Sequence, residues 1–384
     1  MMREAVIVDA VRTPVGKRNG VLSGIRAEDL AAKPLRELVK RSGISAELIE
    51  DVIFGCVSQV GEQSFDIARV AALAAGYPIH VPGTTIDRQC GSSQQAVHFA
   101  AQAIISGDMD VVVAGGIENM SRIPLGASRN DVTWSEELTT KYEMIHQGLS
   151  ADRIAKKWEI SRKEMDEFSL ESHNKAVVAQ KEGRFKDEIM PIEVTLEDGS
   201  TITVTEDEGP RENTSLEKLS NLKPSFTEDG NITAGNSSQI SDGANAILIM
   251  SREKAEELGL KPRFKIHTRS VVGSDPTLML TGPIPATQKA LEKSGLSIDD
   301  IDVFEVNEAF ASVPIAWLKE TGAKPERLNP NGGAIALGHP LGASGGRLMI
   351  TMLHELERTG GRYGLQTMCE GHGMANATII ERLD

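Results

Sequence analysis

The sequence predicts an α/β protein made of two related halves, with a large insertion in the first. Three observations carry this. Short apolar or β-branched runs alternate with amphipathic stretches along the chain. The runs are continuously apolar, as in strands covered on both faces. And a segment repeats: SGISAELIEDVIF from Ser42 returns as SGLSIDDIDVFEV from Ser294, an offset of 252 residues. A weaker echo pairs GSS at Gly91 with GAS at Gly342, offset 251, each followed by a helix and a Gly-rich strand region.

Taken in order, Ala5–Val8 reads as the first strand and Ala27–Lys40 as the first helix, with leucines at helical spacing. Val52–Val57 is the next strand, Gln94–Ile105 a helix, and Val111–Ala114 a strand. Ala151–Lys157 and Lys163–Lys181 are helical, and a hairpin is expected around Glu197-Asp198-Gly199, where Thr/Val/Ile runs flank the turn. Ala246–Met250 returns to strand. Pro285–Lys293, Ile301–Val306, Gly346–Arg358 and Thr378–Ile380 then read helix, strand, helix, strand. The repeat offset exceeds half of the 384 residues, so the extra chain lies in the first half. The expected division is 1–117 plus 241–263 as the first half, 118–240 as the insertion, and 264–384 as the second half. Gly259 and Pro262 punctuate the junction.

Composition narrows the function classes. Aromatics are only 4% against 36 Gly, so the core is aliphatic and backbones pass close together. The formal charge is 41 − 55 = −14, a field that repels phosphate backbones and argues against nucleic-acid binding. Residues 186–229 hold twelve acidic and four basic side chains, a net −8, so most of the excess sits in the insertion. Three widely spaced cysteines form no disulfide framework. No apolar run approaches the ~18 residues of a membrane span, and MMREAVIVDAVRTP reads as a strand, not a signal peptide. A cytoplasmic, reduced protein without a membrane partner is expected.

Four residues stand where chemistry is expected. Cys90, in TTIDRQCGSSQQAV, falls at a strand–helix junction, where unpaired N–H groups stabilise a thiolate by roughly 0.3–1 kcal/mol, up to ~2. That alone does not make a ready thiolate, so a second group, most naturally a His, is needed. The alternative is an inert buried Cys, as expected for Cys56. His339 lies in the Gly-dense run NPNGGAIALGHPLGASGG, on a loop rather than a packed helix face. Its alternative is a structural turn. Cys369 follows a short strand and precedes a Gly-containing loop, and is on local grounds equally a core Cys. Asn307 follows the strand Ile301–Val306, where ligands of α/β sheets gather, or else it caps a helix from Ala309. Gly342–Gly346 fits G-x-S-x-G, but Pro340 breaks any strand leading into it, which disfavours Ser344 as a hydrolase nucleophile. Cys369-x-x-His372 has metal-like spacing but lacks a second pair, so no metal is expected.

At VDAVRTPVGK, DRQCGSSQQA, AGGIENMS, TAGNSSQISDGA, VNEAFA, NGGAIALGHPLGASG and the Cys-x-Gly segment, the chain resembles the thiolase family essentially end to end. The resemblance implies a five-layered αβαβα core and a loop domain that covers coenzyme A. It implies reversible thiolysis of 3-ketoacyl-CoA to acyl-CoA plus acetyl-CoA, through an acyl-cysteine. Cys90 then resembles the nucleophile, His339 its base, Cys369 the acid/base at the α-carbon, and Asn307 the holder of an oxyanion-hole water. The N–H groups of Cys90 and Gly371 resemble a second oxyanion hole. Arg211, Phe226, Ser238, Met279 and His146 fall at coenzyme A contact positions. The implied partners are CoA and acyl-CoA substrates and further copies of the chain, as a homodimer or homotetramer. No covalent cofactor and no metal are implied.

The second-Cys motif departs from the family's Cys-x-Gly-Gly-Gly-x-Gly: His372 and Ala375 replace glycines. Gln239 and Gln147 stand where the biosynthetic branch commonly has Gly and Met, which favours the degradative branch. A biosynthetic acetoacetyl-CoA thiolase and a non-catalytic acyl-CoA or lipid carrier on the same scaffold are the alternatives.

Overall fold

The computed structural model describes residues 3–129, 132–196 and 198–383. β1 (Ala5–Arg12) opens the chain, followed by β2 (Gly16–Lys17), α1 (Ala27–Ser42), β3 (Asp51–Gly55), α2 (Ile67–Ala74), β4 (Gly83–Ile86), α3 (Ser92–Ser106) and β5 (Val111–Asn119). Then come α4 (Glu136–Thr139), α5 (Gln147–Lys157), α6 (Arg162–Lys181), β6 (Ile192–Thr195), β7 (Thr201–Val204) and α7 (Leu216–Ser220). The sheet resumes with β8 (Ser241–Ser251), followed by α8 (Arg252–Glu257). β9 (Phe264–Gly273), α9 (Pro283–Ser294), β10 (Val303–Val306), α10 (Ser312–Thr321), α11 (Ala334–Leu337), α12 (Leu341–Thr359), β11 (Tyr363–Glu370) and β12 (Met374–Arg382) complete it.

The strand order carries the duplication. The path runs β10-β11-β12-β9-β1-β8-β5-β3-β4, with β2 added on β8. From the middle outward, β1, β8 and β5 pair antiparallel, and β5, β3 and β4 parallel. On the other side β9, β12 and β11 pair antiparallel, and β11 and β10 parallel. A parallel bridge from Phe304 to Leu328 stands where a fifth strand would be. Among the described residues, two strand pairs, Val6↔Lys265 and Ile7↔Phe264, join the two sets.

Helices fill three layers around these strands. Leu30, Leu35 and Leu38 of α1 and Ile67 of α2 pack on Val6, Phe54, Val113 and Leu248. Between the two sets of strands lie α3, through Val97, Ala100 and Ile104, and α12, through Met349, Ile350 and Leu353. They touch Ile247 and Ile249 on one side and Phe264, Ile266 and Ile380 on the other. Ala286 of α9 and Trp317 of α10 cover the far face of β10–β12. The result is helix, sheet, helix, sheet, helix. Close approach requires glycine at Gly116 of β5: a Cβ there would run into the Gly342 carbonyl at the start of α12.

The stretch between β5 and β8 is clamped to β1 by a buried cation. Arg12 donates from both Nη atoms to Asp207, at 2.7 and 2.9 Å, and from Nε to Glu188 at 2.7 Å. Two acids of the 186–229 segment are thus internal, not part of a solvated face. β6 and β7 pair antiparallel as a hairpin. Of its expected turn, Glu197 lies outside the described residues, while Gly199 takes φ +81°.

Several boundaries differ from the sequence reading. β1 runs on to Arg12 and β12 spans Met374–Arg382. β9 and β11 were not expected, because polar side chains interrupt both. In β9, Lys265, His267 and Arg269 share the half-buried face. In β11, Gln366 and Thr367 are buried but hydrogen-bonded. α12 begins at Leu341, so Gly345 and Gly346 lie inside a helix, against Gln94 and Asn245. Those two glycines serve helix packing and not approach to a substrate. No helix among the described residues is long and apolar enough to cross a membrane.

Candidate active site

Cys90 sits in a tight turn between β4 and α3. Gln89 before it takes φ +48°, a left-handed conformation uncommon for a residue with a Cβ. The Ser92 N–H closes the turn on the Gln89 carbonyl at 3.0 Å, and α3 starts two residues after Cys90. The thiol is nearly buried, and burial pushes its pKa well above the ordinary thiol value, with the nearby Cys369 and Glu370 raising it further. Desolvation outweighs the helix terminus, which the sequence reading already holds to be insufficient alone, and the resting group is a thiol.

The end of β11 brings up the second thiol. Cys369 is 1% exposed and burial pushes its pKa up to about 12. The turn beyond it interlocks with the Cys90 turn. Asn376 Nδ2 donates to the Gly91 carbonyl at 3.0 Å, and a Cβ on Gly91 would run into the Glu370 carboxylate. A Cβ on Gly371 would stand 2.9 Å from Gln89 Oε1 and 3.4 Å from Gln147 Nε2. Gly371 therefore lies against Gln89 of the Cys90 turn.

His339 occupies the loop between α11 and α12, 4% exposed. Its N–H donates to the Gln239 carbonyl at 3.0 Å. Its ring is oriented by Ser344: Nδ1 and the Ser344 Oγ are 2.5 Å apart, while that Oγ donates its own hydrogen to the Pro340 carbonyl at 2.8 Å. A hydroxyl whose hydrogen is committed can only accept, so the imidazole proton is on Nδ1 and Nε2 carries the lone pair. Nε2 faces Asn307 Nδ2 at 3.4 Å. Burial, assisted by the Arg347 charge, lowers the His339 pKa to about 3, so the ring is neutral. Asn307 is 1% exposed and directly follows β10, its N–H donating to the Thr367 carbonyl at 3.1 Å. α10 starts at Ser312, so Asn307 caps no helix.

The expected coenzyme contacts divide into two groups. His146 stacks on Phe226, 5.0 Å between ring centroids, and Phe226 meets Phe310 edge-on at 6.0 Å. Met279, Phe310 and Cys369 share the apolar cluster on which Phe226 packs. Ser238 is tied to the same region by its N–H on the Ala309 carbonyl at 3.0 Å. Arg211 stands apart, on a cavity of about 350 Å³ with Lys218, Asn213 and His173. Gln239 and Ile335 line the same cavity, and Gln239 also holds the His339 N–H, so the cavity approaches the base.

Four participants were missed. Ser344 is the hydrogen-bond partner of His339. Glu118 of β5, fully buried, accepts from the N–H groups of Val57, Ser58 and Gly342 and from Gln63, and locks the loop after β3 to the start of α12. Its charge also acts on Cys90. His173 accepts from the Arg211 N–H at 3.1 Å and fixes that backbone. Glu308 accepts from Ser172, Asn329 and the Ile335 N–H and braces the residue after Asn307. The motif AGGIENMS hinted at Glu118; Ser344 lies only five residues from His339 but its role needs the turn into α12 to be seen, and His173 and Glu308 have partners distant in sequence. Cys56 is core, as expected. No group of three or more His, Cys, Asp or Glu suited to a metal ion occurs among the described residues.

Comparison with known proteins decides the family. Residues 5–253 match the model of the thiolase N-terminal domain and residues 260–382 that of the thiolase C-terminal domain. The chain belongs to the thiolase family. This thiolase is 53% identical to the steroid 3-ketoacyl-CoA thiolase of Mycobacterium tuberculosis, over 100% of this chain and 95% of that one. It is 45% identical to the beta-ketoadipyl-CoA thiolase of Escherichia coli, with both chains fully covered. The crystal structure of the Bacillus anthracis acetyl-CoA acetyltransferase superposes with TM-score 0.92 at 40% identity, covering 100% of this chain and 99% of that one. As a member of this family the protein is an acyltransferase with a thiolase fold.

Proposed function

We propose that this thiolase cleaves 3-ketoacyl-CoA with coenzyme A, giving a shortened acyl-CoA and acetyl-CoA, through an acyl-Cys90. The observation that carries the reading is the buried, neutral His339 ring, held at Nδ1 by Ser344 with Nε2 beside Asn307. Nε2 takes the Cys90 proton as the sulfur attacks the 3-keto carbon. The tetrahedral alkoxide collapses and the C2–C3 bond breaks. Cys369 gives its S–H proton to C2 of the leaving enolate, and acetyl-CoA departs. The coenzyme A thiol then attacks the acyl-Cys90 thioester and yields its proton to the Cys369 thiolate. Cys90 leaves and recovers its proton from His339.

Both thiols rest protonated, so charge appears only in pairs during reaction. Two unit charges in contact attract by about 4 kcal/mol at an effective dielectric of 20, and the start of α3 adds up to ~2 kcal/mol. These terms offset part of what burial opposes. Asn307, with His339, supports the enolate oxygen through a water. The N–H groups of Cys90 and Gly371 support the tetrahedral oxygen; one such donor is typically worth ~2.7–4 kcal/mol. Coenzyme A is bound as substrate, its phosphates met by Arg211 and Lys218 and its chain by His146, Phe226, Ser238 and Met279. Relatives named 3-ketoacyl-CoA thiolase, together with Gln147 and Gln239, support the degradative direction. Three free thiols support a reducing, cytoplasmic setting. The inserted segment 118–240 is assigned to covering the coenzyme, between first-half pieces 1–117 and 241–263 and the second half 264–384.

A second copy of the chain is part of the proposal. β4 ends the sheet, and Phe65, 95% exposed, precedes Asp66, whose carboxylate accepts from Thr85 of β4. Light scattering should give a dimer or tetramer, and Phe65→Asp a shift toward monomer. Activity is tested by mixing acetoacetyl-CoA and coenzyme A with wild type and Cys90→Ser and following loss of the 3-keto thioester. Turnover by wild type alone is expected. Turnover that survives the substitution rules out the nucleophile, and an inactive wild type favours a carrier.

A further inference from the structure

The turn between β11 and β12 holds the residue that departs from the family pattern. His372 lies three residues beyond Cys369, half-buried, with φ +67°. That left-handed conformation costs a residue with a Cβ roughly 1–2 kcal/mol, so a contact must hold it. The contact is Trp134, whose indole meets the imidazole edge to face, 5.0 Å between centroids at 85°. Arg129 lays its guanidinium on the same indole, 3.4 Å from the ring centroid. Arg129 and Trp134 belong to the segment between β5 and α5, which leaves Leu125, Val132 and Tyr142 largely exposed. Gly371 lies against Gln89 and Gln147, and the Asp87 charge reaches His372. The stack therefore ties the inserted segment to the turn that follows Cys369 and packs on Gln89, the neighbour of Cys90.

We propose that Arg129, Trp134 and His372 form a stacked wall on the acyl side of the Cys90–Cys369 site, and that this wall limits the size of the 3-ketoacyl group accepted. The proposal rests on the thiolase reading. An imidazole stands where the family pattern has glycine, and Trp134 holds it edge to face. Long acyl chains meet the wall, while short 3-ketoacyl-CoAs are admitted. The Arg129 guanidinium keeps the indole in place by a cation–π contact.

The test measures kcat/KM for acetoacetyl-CoA and for 3-oxodecanoyl-CoA in wild type, His372→Gly and Trp134→Ala. Glycine adopts φ +67° without strain, so His372→Gly keeps the fold. The ratio of long-chain to short-chain kcat/KM should rise about tenfold or more in each variant, the scale of discrimination that apolar pockets give. The double variant should add little, because both residues build one wall. An active wild type whose ratio neither variant moves overturns the proposal and leaves the thiolase reading intact. A wild type inactive on both substrates overturns that reading and the proposal together.

Discussion

Ser344→Ala tests the part of the account that most depends on geometry. The substitution removes one hydroxyl from the first turn of α12, where Ser344 is 1% exposed. It deletes the 2.5 Å contact to His339 Nδ1 and leaves a buried N–H unpaired. Leaving such a group unsatisfied costs about 1–3 kcal/mol. If the whole cost falls on the orientation of the base in the transition state, kcat drops roughly 5- to 150-fold. The drop grows if the ring relaxes to the tautomer with its proton on Nε2, which cannot take the Cys90 proton. KM for coenzyme A should change little, since Arg211 and Phe226 are untouched. Steady-state thiolysis of acetoacetyl-CoA separates the two constants. An unchanged kcat would refute the positioning role. Complete loss in Ser344→Ala with full activity in Cys90→Ser would instead make Ser344 the nucleophile.

Three further outcomes are expected. Arg211→Ala should raise KM for coenzyme A severalfold with kcat nearly constant, measured by varying coenzyme A at saturating 3-ketoacyl-CoA; an equal fall in kcat would place Arg211 in the chemistry. Glu305 is fully buried and its pKa is raised to about 8 by burial, against the lowering effect of Arg347. Its folded pKa exceeds its unfolded value, so its contribution is fully present below about pH 4.5 and is lost as pH rises through about 8. Glu305→Gln should therefore flatten the fall of Tm between pH 5 and 8, roughly the window between those two values, and an unchanged slope would contradict this. Gly116→Ala should lower stability by about 1–3 kcal/mol through overpacking, read from the urea midpoint, because the new methyl meets the Gly342 carbonyl; a wild-type midpoint would show that β5 and α12 can part.

Much of the site was legible because its residues sit at ends of elements that local pattern marks. Cys90 lies between a β-branched run and an amphipathic helix, Asn307 at the end of an apolar strand, and His339 between Gly338 and Pro340. What local pattern could not supply was pairing across the chain. Glu118 finds Gly342 across 224 positions, and Asn376 finds Gly91 across 285. How strongly burial holds Cys90 as a thiol was hidden for a related reason. The helix terminus is visible in sequence, but the burial that overrides it comes from Met120, Leu341, Leu348 and Met368, which converge only in the fold. The duplication was legible from two repeated segments at nearly one offset, while β9 was hidden by the cations on its half-buried face.

The central claim is that Cys90 carries the acyl group. Brief incubation with acetyl-CoA, acid quenching and peptide mass spectrometry tests it most directly. The account predicts an acetyl adduct on the peptide containing Cys90, discharged by coenzyme A and absent from Cys90→Ser. An adduct on the Cys369, Cys56 or Ser344 peptide instead, or steady turnover with no adduct on Cys90 at any quench time, would contradict it.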